Sequence, residues 1–212
     1  MTGILFDLDG TLLDTLQDLA DSVNHVLREF GYPERTVEEI RRFVGNGVSV
    51  LIDKAVPAGA DPEPVLAAFR TYYQAHCRVK TGPYPGILAA LEQLKEQYPI
   101  AVVSNKPDAA VKALCADYFP GVFALGESPA CPRKPAPDMV YGAMAAIGVD
   151  HCVYVGDSEV DVETAKNAGV PCLSVTWGFR DEVEIRRAGG VYFCDDPAKL
   201  ARSIDAILSG LT

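Results

Sequence analysis

Residues 4–13 read Ile-Leu-Phe-Asp-Leu-Asp-Gly-Thr-Leu-Leu, an apolar run interrupted by two carboxylates, Asp7 and Asp9, only two positions apart. A short apolar run that closes on a glycine predicts a buried β-strand over residues 3–8. Side chains alternate along a strand, so Asp7 and Asp9 belong to one face and Leu8 to the other, with local unwinding after Asp7 adjusting the geometry. One isolated strand has no stability of its own, and its partners must come from later in the chain.

The residues that follow do not supply them. Leu16, Leu19, Ala20, Val23, Val26, Leu27 and Phe30 recur with helical period, with Asp14 or Thr15 as cap and Gly31-Tyr32-Pro33 as stop. Thr36 and Glu39 form a capping-box pattern that opens a second helix, and Gly45 ends it. Further helical patterns cover residues 48–56 and 62–77, with Phe69, Tyr72 and Tyr73 at core spacing. After the turn-rich Lys80–Gly86 the pattern alternates. Helices are expected at 86–97, 108–117, 137–147, 159–168, 181–188 and 197–208, and strands at 100–104, 122–126, 152–156, 172–176 and 191–193. Such alternation means a parallel sheet covered on both faces by helices. The fold class is therefore α/β: a Rossmann-like parallel-sheet core of residues 1–13 and 82–212, with an inserted all-helical cap domain at 14–81 that closes over the core about hinges near 12–15 and 78–84.

Composition narrows the function. At 212 residues and 49% hydrophobic content the chain can bury a full core, while a net charge of −10 opposes binding to nucleic acid or to an anionic membrane. A small anionic partner remains admissible where the site carries its own cation. The apolar runs are too short to span a bilayer and no basic leader precedes one, so the cytoplasm is the expected location. The six cysteines include no Cys-x-x-Cys pair, which predicts neither a structural disulfide nor a zinc site. His25, His76 and His151 share no ligand spacing and are expected in packing or surface roles.

Ligands of an open parallel sheet sit beyond the carboxyl ends of its strands. Those ends carry Asp7 and Asp9, then Ser104 and Asn105, then Asp157 with Asp161 four residues later. Clustered carboxylates repel one another, and burial makes the repulsion worse, so a cation is required. An all-oxygen ligand set favours Mg²⁺. Lys134 adds a fixed positive charge just before a helix, stiffened by Pro135 and Pro137. A phosphate suits this combination of hydroxyl, backbone donors and cations.

The four segments Asp7–Thr11 (DLDGT), Val102–Lys106 (VVSNK), Arg133–Asp138 (RKPAPD) and Gly156–Asp161 (GDSEVD) resemble, in order, the motifs of the haloacid-dehalogenase superfamily of phosphotransferases. The resemblance implies that Asp7 attacks phosphorus to give an aspartyl-phosphate, and that Asp9 serves as general acid and then general base. It further implies phosphate binding by Ser104, Asn105 and Lys134. Mg²⁺ would be held by Asp7, the Asp9 carbonyl and Asp157, with Thr11 and Asp161 in support. An aspartate at position 9 fits a phosphatase or phosphomutase better than a dehalogenase, which ejects halide without an acid there. Phe43–Ile52 (FVGNGVSVLI), Tyr84–Leu91 (YPGILAAL) and Thr176–Phe179 (TWGF) resemble phosphoglycolate phosphatases, which implies hydrolysis of 2-phosphoglycolate and a specificity role for Gly45, Asn46 and Gly47. Turn chemistry alone also accounts for those glycines. The alternatives within the fold are a β-phosphoglucomutase-like mutase and a pyrophosphatase, and outside catalysis a silent metabolite-binding regulator. Val160 stands where many relatives carry Asn.

Overall fold

The computed structural model describes residues 1–210. Strand β1 (Thr2–Phe6) lies at the centre of a six-stranded, wholly parallel sheet. The other strands are β4 (Ile100–Pro107), β5 (Phe123–Glu127), β6 (His151–Gly156), β7 (Cys172–Val175) and β8 (Tyr192–Cys194), in the order β5-β4-β1-β6-β7-β8. Ile4 is in register with Ile100 on one side and Val153 on the other. The chain winds outward from β1 through β4 to β5 and then returns to its opposite side, so the crevice at a switch point opens at the carboxyl end of β1.

Both faces of the sheet are buried, which is why its strands read as continuous apolar runs. Ile4, Phe6, Val102, Val153 and Val155 pack in one layer, and Leu5, Ala101, Val103 and Tyr154 in the other. Helices α5 (Ile87–Lys95), α6 (Asp108–Tyr118), α7 (Asp138–Ile147), α8 (Glu159–Ala168), α9 (Glu182–Arg187) and α10 (Leu200–Leu208) complete this body. Between β1 and α5 lie α1 (Leu16–Glu29), α2 (Val37–Phe43), α3 (Val48–Ala55) and α4 (Pro62–His76), which build a core of their own around Val23, Leu27, Ile40, Ile52, Val65 and Phe69. The Thr36–Glu39 capping box opens α2, as the sequence predicts. Thr15 precedes α1 without a side-chain cap; Asp14 accepts from the Leu16 amide instead.

Four features depart from the sequence expectation. β1 ends at Phe6, which leaves Asp7 and Asp9 in the turn beyond it. The chain entering and leaving the helical insert pairs as a two-stranded antiparallel ribbon, β2 (Leu13–Asp14) with β3 (Gly82–Pro83), and Asp18 on α1 accepts from the Lys80 and Thr81 amides at 2.8–2.9 Å. β4 runs past Ser104 to Pro107 through a shift in register: Ser104 faces Gly126 and Pro107 faces Glu127, so Asn105 and Lys106 are extra residues in a bulge. Bulges re-aim side chains, and this one lies at the mouth of the crevice. The final helix is divided into a 3₁₀ turn (Pro197–Lys199) and α10.

Candidate active site

Asp7 lies one residue beyond β1 with its backbone amide still bonded to the Val155 carbonyl. Its Oδ1 accepts from the Leu8 amide at 2.7 Å and lies 2.9 Å from Lys134 Nζ. Lys134, 2% exposed, also donates to Asp161 Oδ1 at 2.8 Å and to the Tyr154 hydroxyl at 3.0 Å. Burial alone would push the Lys134 ammonium down, but the charges of Asp161 and Asp7 hold it well above the ordinary lysine range.

Asp157 follows β6, the other neighbour of β1. Its Oδ1 accepts from the Thr11 hydroxyl at 3.1 Å and its Oδ2 from the Phe179 amide at 2.7 Å. Carboxylate oxygens of Asp7, Asp157 and Asp161 all lie within 4.8 Å of one another. Their environments differ. Asp161 is saturated: beside Lys134 and Tyr154 on Oδ1, its Oδ2 accepts from the Asp157 and Ser158 amides and the Ser158 hydroxyl. It orients Lys134 and the start of α8 and has no lone pair to offer. Asp7 and Asp157 keep lone pairs directed at the crevice.

Three carboxylates thus share one ammonium, which leaves two negative charges uncompensated in a buried site. Burial, with the charge of Asp161 adding to it, pushes the Asp7 carboxyl up to about 7 against the pull of Lys134. Burial and the charges of Asp161 and Asp7 raise Asp157 well above the carboxylate range. A hard divalent cation accounts for both anomalies, and two carboxylates in an all-oxygen setting fit Mg²⁺. Glycine is required where the backbone wraps Asp157. Gly10 has φ +83°, and a Cβ on Gly10 or on Gly178 would collide with the Asp157 carboxylate.

Asp7, Asp9, Ser104, Asn105, Lys134 and Asp157, singled out from the sequence, all line this crevice. Ser104 and Asn105 line it beside Lys134, and Ser104 Oγ accepts from the Lys106 amide at 3.3 Å. Asn105 exchanges two hydrogen bonds with the Lys134 backbone and donates to the Gly45 carbonyl of the insert at 3.0 Å. The cavity between body and insert measures about 40 Å³; Gly45, Gly47, Val48 and Leu51 face it from the insert, while Asn46 does not line it. His25 and His76 sandwich the Tyr72 ring at 3.7 and 3.8 Å between centroids, away from the crevice.

Two residues have no role assigned from the sequence, although Lys106 closes the Val102–Lys106 segment. Lys106, from the β4 bulge, is 3% exposed and places Nζ 2.9 Å from both oxygens of Asp9. The burial that opposes its charge is outweighed by Asp9, and its ammonium is held above the usual range. Arg180, after β7, binds Glu159 at 2.9 Å and donates to the Arg41 and Val44 carbonyls at the end of α2, at 2.9 and 2.6 Å. The only sequence signal for Arg180 is its place beyond the carboxyl end of a parallel strand; for Lys106 it is adjacency to Ser104.

The profile of haloacid dehalogenase-like hydrolases matches residues 4–175. A phosphoglycolate phosphatase of Rhodobacter capsulatus is 38% identical over 84% of this chain and 85% of its own length. That of Pseudomonas putida is 36% identical over 83% and 70%. Among solved structures, a candidate phosphoglycolate phosphatase from Lactobacillus delbrueckii subsp. bulgaricus superposes with a TM-score of 0.90 at 38% identity, over 95% of this chain and 97% of that one. The chain thus belongs to the haloacid dehalogenase-like hydrolase family, on its phosphatase branch.

Proposed function

We propose that the protein is a Mg²⁺-dependent phosphatase that hydrolyses a small phosphate monoester, 2-phosphoglycolate foremost. The observation that carries this reading is the meeting of Asp7 and Asp157, both held up in pKa, with Lys134 at the mouth of the central strand. The relatives named phosphoglycolate phosphatase support the substrate. Asp7, the Asp9 carbonyl and Asp157 would hold the metal, which when bound neutralises the site and stabilises charge on the phosphoryl oxygens.

In this reading the Asp7 carboxylate forms a bond to phosphorus as the bond to the ester oxygen breaks, and Asp9 delivers a proton to that oxygen. Asp9 then takes a proton from water, whose oxygen attacks phosphorus, releases inorganic phosphate and restores Asp7. Lys134, fixed by Asp161 and Tyr154, neutralises the transferring group, while Ser104 through its hydroxyl and Asn105 through its main chain bind its oxygens and Thr11 steadies Asp157. Residues 14–81 act as a cap that selects the substrate through Gly45 and Gly47 and excludes water from the core of residues 1–13 and 82–212.

The partner is then a small anionic phosphorylated metabolite. The net charge of −10 speaks against nucleic acid and anionic membranes. Among the described residues no helix is long and apolar enough to cross a bilayer. All six cysteines are free, which supports a cytoplasmic setting.

The test is phosphate release from 2-phosphoglycolate, with and without Mg²⁺, beside sugar phosphates and pyrophosphate. We expect Mg²⁺-dependent release that falls by at least about 10³-fold in Asp7→Asn. Substantial turnover by that variant would remove Asp7 as nucleophile, and isomerised sugar phosphate in place of free phosphate would make the protein a mutase.

A further inference from the structure

Lys106 and Tyr73 meet where body and insert touch. Tyr73, on α4 of the insert, is 3% exposed, and its hydroxyl has no hydrogen-bond partner. A buried hydroxyl without a partner is destabilising and calls for a reason. Lys106 Nζ lies 4.9 Å from the centre of the Tyr73 ring. An ammonium has three N–H donors; two are accounted for by Asp9 Oδ1 and Oδ2, and the third has beside it the Tyr73 hydroxyl, which makes no well-formed hydrogen bond among the described residues. Two buried donors that lack a well-formed acceptor therefore face the same junction.

That junction adjoins space for a ligand. Lys106 lines the active-site cavity with Asp9. Tyr73 lines a second cavity of about 160 Å³ between α4 and the start of α6, and Val48 at the start of α3 borders both. The other cations near the crevice are otherwise engaged. Lys134 is shared by Asp7 and Asp161, Arg180 by Glu159 and the carbonyls of α2, and Arg133 reaches Ser49. Lys106 adjoins the carboxylate assigned to the leaving-group oxygen, so atoms of the leaving group beyond that oxygen come next to it.

We propose that Lys106 and Tyr73 form a subsite for a second anionic group on the substrate, and that they select phosphate monoesters whose leaving alcohol carries a carboxylate close to the ester oxygen. The third N–H of Lys106 and the Tyr73 hydroxyl donate to that carboxylate, while Lys106 keeps its hold on Asp9. The proposal rests on the phosphatase reading above and adds the residues by which an anionic leaving group is told from a neutral one. Because Tyr73 belongs to the insert, the subsite is complete only when the insert lies against the body.

Two measurements separate this proposal from the reading beneath it. The first compares kcat/KM for 2-phosphoglycolate and for 2-hydroxyethyl phosphate, its neutral-ended counterpart, in wild type, Lys106→Met and Tyr73→Phe. We expect wild type to prefer the carboxylate by at least about tenfold, Lys106→Met to bring the ratio to within about twofold, and Tyr73→Phe to lower it severalfold. A lysine that only positions Asp9 would slow both substrates alike and leave the ratio unchanged, and that result overturns the proposal.

The second is calorimetric binding of 3-phosphonopropionate against propylphosphonate in saturating Mg²⁺, which needs no turnover. Preference for the carboxylate in wild type and its loss in Lys106→Met uphold the subsite even if no ester is hydrolysed, whereas equal affinities in wild type refute it. Should Lys106→Met not fold, the binding comparison is made in the doubly substituted Asp9→Asn/Lys106→Met protein, in which no unpaired charge is buried.

Discussion

Asp7 and Asp157 are acidic groups whose surroundings oppose their charge, and the protein without metal carries the consequence. An acid whose folded pKa lies near 7, against an ordinary aspartate value of 3.8, holds its proton in the native state over a range where the unfolded chain has lost it. The native state binds more protons there, so stability is greatest at the acid end of the window and falls as pH rises from about 4 to about 7. We expect metal-free protein to lose up to about 4 kcal/mol across that window, with a Tm lower by at least several degrees, and Mg²⁺ to restore it at pH 7. Metal-free Asp7→Asn should melt above wild type at pH 7, though it is inactive; thermal melts with and without chelator check both. The key carboxylates were legible in sequence because each lies just past an apolar strand. Lys106 was not, because a lysine after a strand reads as solvated, and only the bulge between Ser104 and Pro107 turns it inward.

The element that most decides the geometry of the metal-binding carboxylates is the short segment after β7. Trp177 donates to the Thr11 carbonyl at 3.0 Å, the Phe179 amide holds Asp157, and Gly178 passes so close that a Cβ would strike that carboxylate. In a Gly178→Ala variant the new Cβ meets both the Asp157 side chain and the Gly10 carbonyl, so the loop must shift and Asp157 is displaced. Mg²⁺ affinity and kcat/KM should each drop by at least about tenfold and Tm should fall by several degrees, read by metal titration of activity beside a thermal melt. Helices and strands were visible from period alone, and the capping box of α2 stands where Thr36 and Glu39 placed it. The β2–β3 ribbon was not, because two residues per strand leave no alternation to detect, and its pairing joins positions far apart in the chain.

For the molecule as a whole, two cores are joined by that ribbon, by Phe179 of the body packed into the core of the insert, and by a few polar ties. Arg180 is the main one, anchored to Glu159 in the body and bonded to carbonyls of α2. Arg180→Met should release this tie, raise KM severalfold with a smaller change in kcat, and speed amide exchange across Val37–Val44; steady-state kinetics and hydrogen exchange decide it. The parallel sheet with a helical insert was legible because period shifts abruptly at either end of the insert, whereas the contacts between the two parts depend on single side chains that no period encodes. Lys134, Asp161, Tyr154 and Asp157 all belong to the sheet-bearing body and hold one another there without help from the insert. Under the proposed function, the chemistry and much of the choice of substrate would be written in separable stretches of chain. Drift within residues 14–81 would retune which ester is admitted while the bond-breaking apparatus is inherited unchanged, a division of labour by which one scaffold gives rise to many specificities.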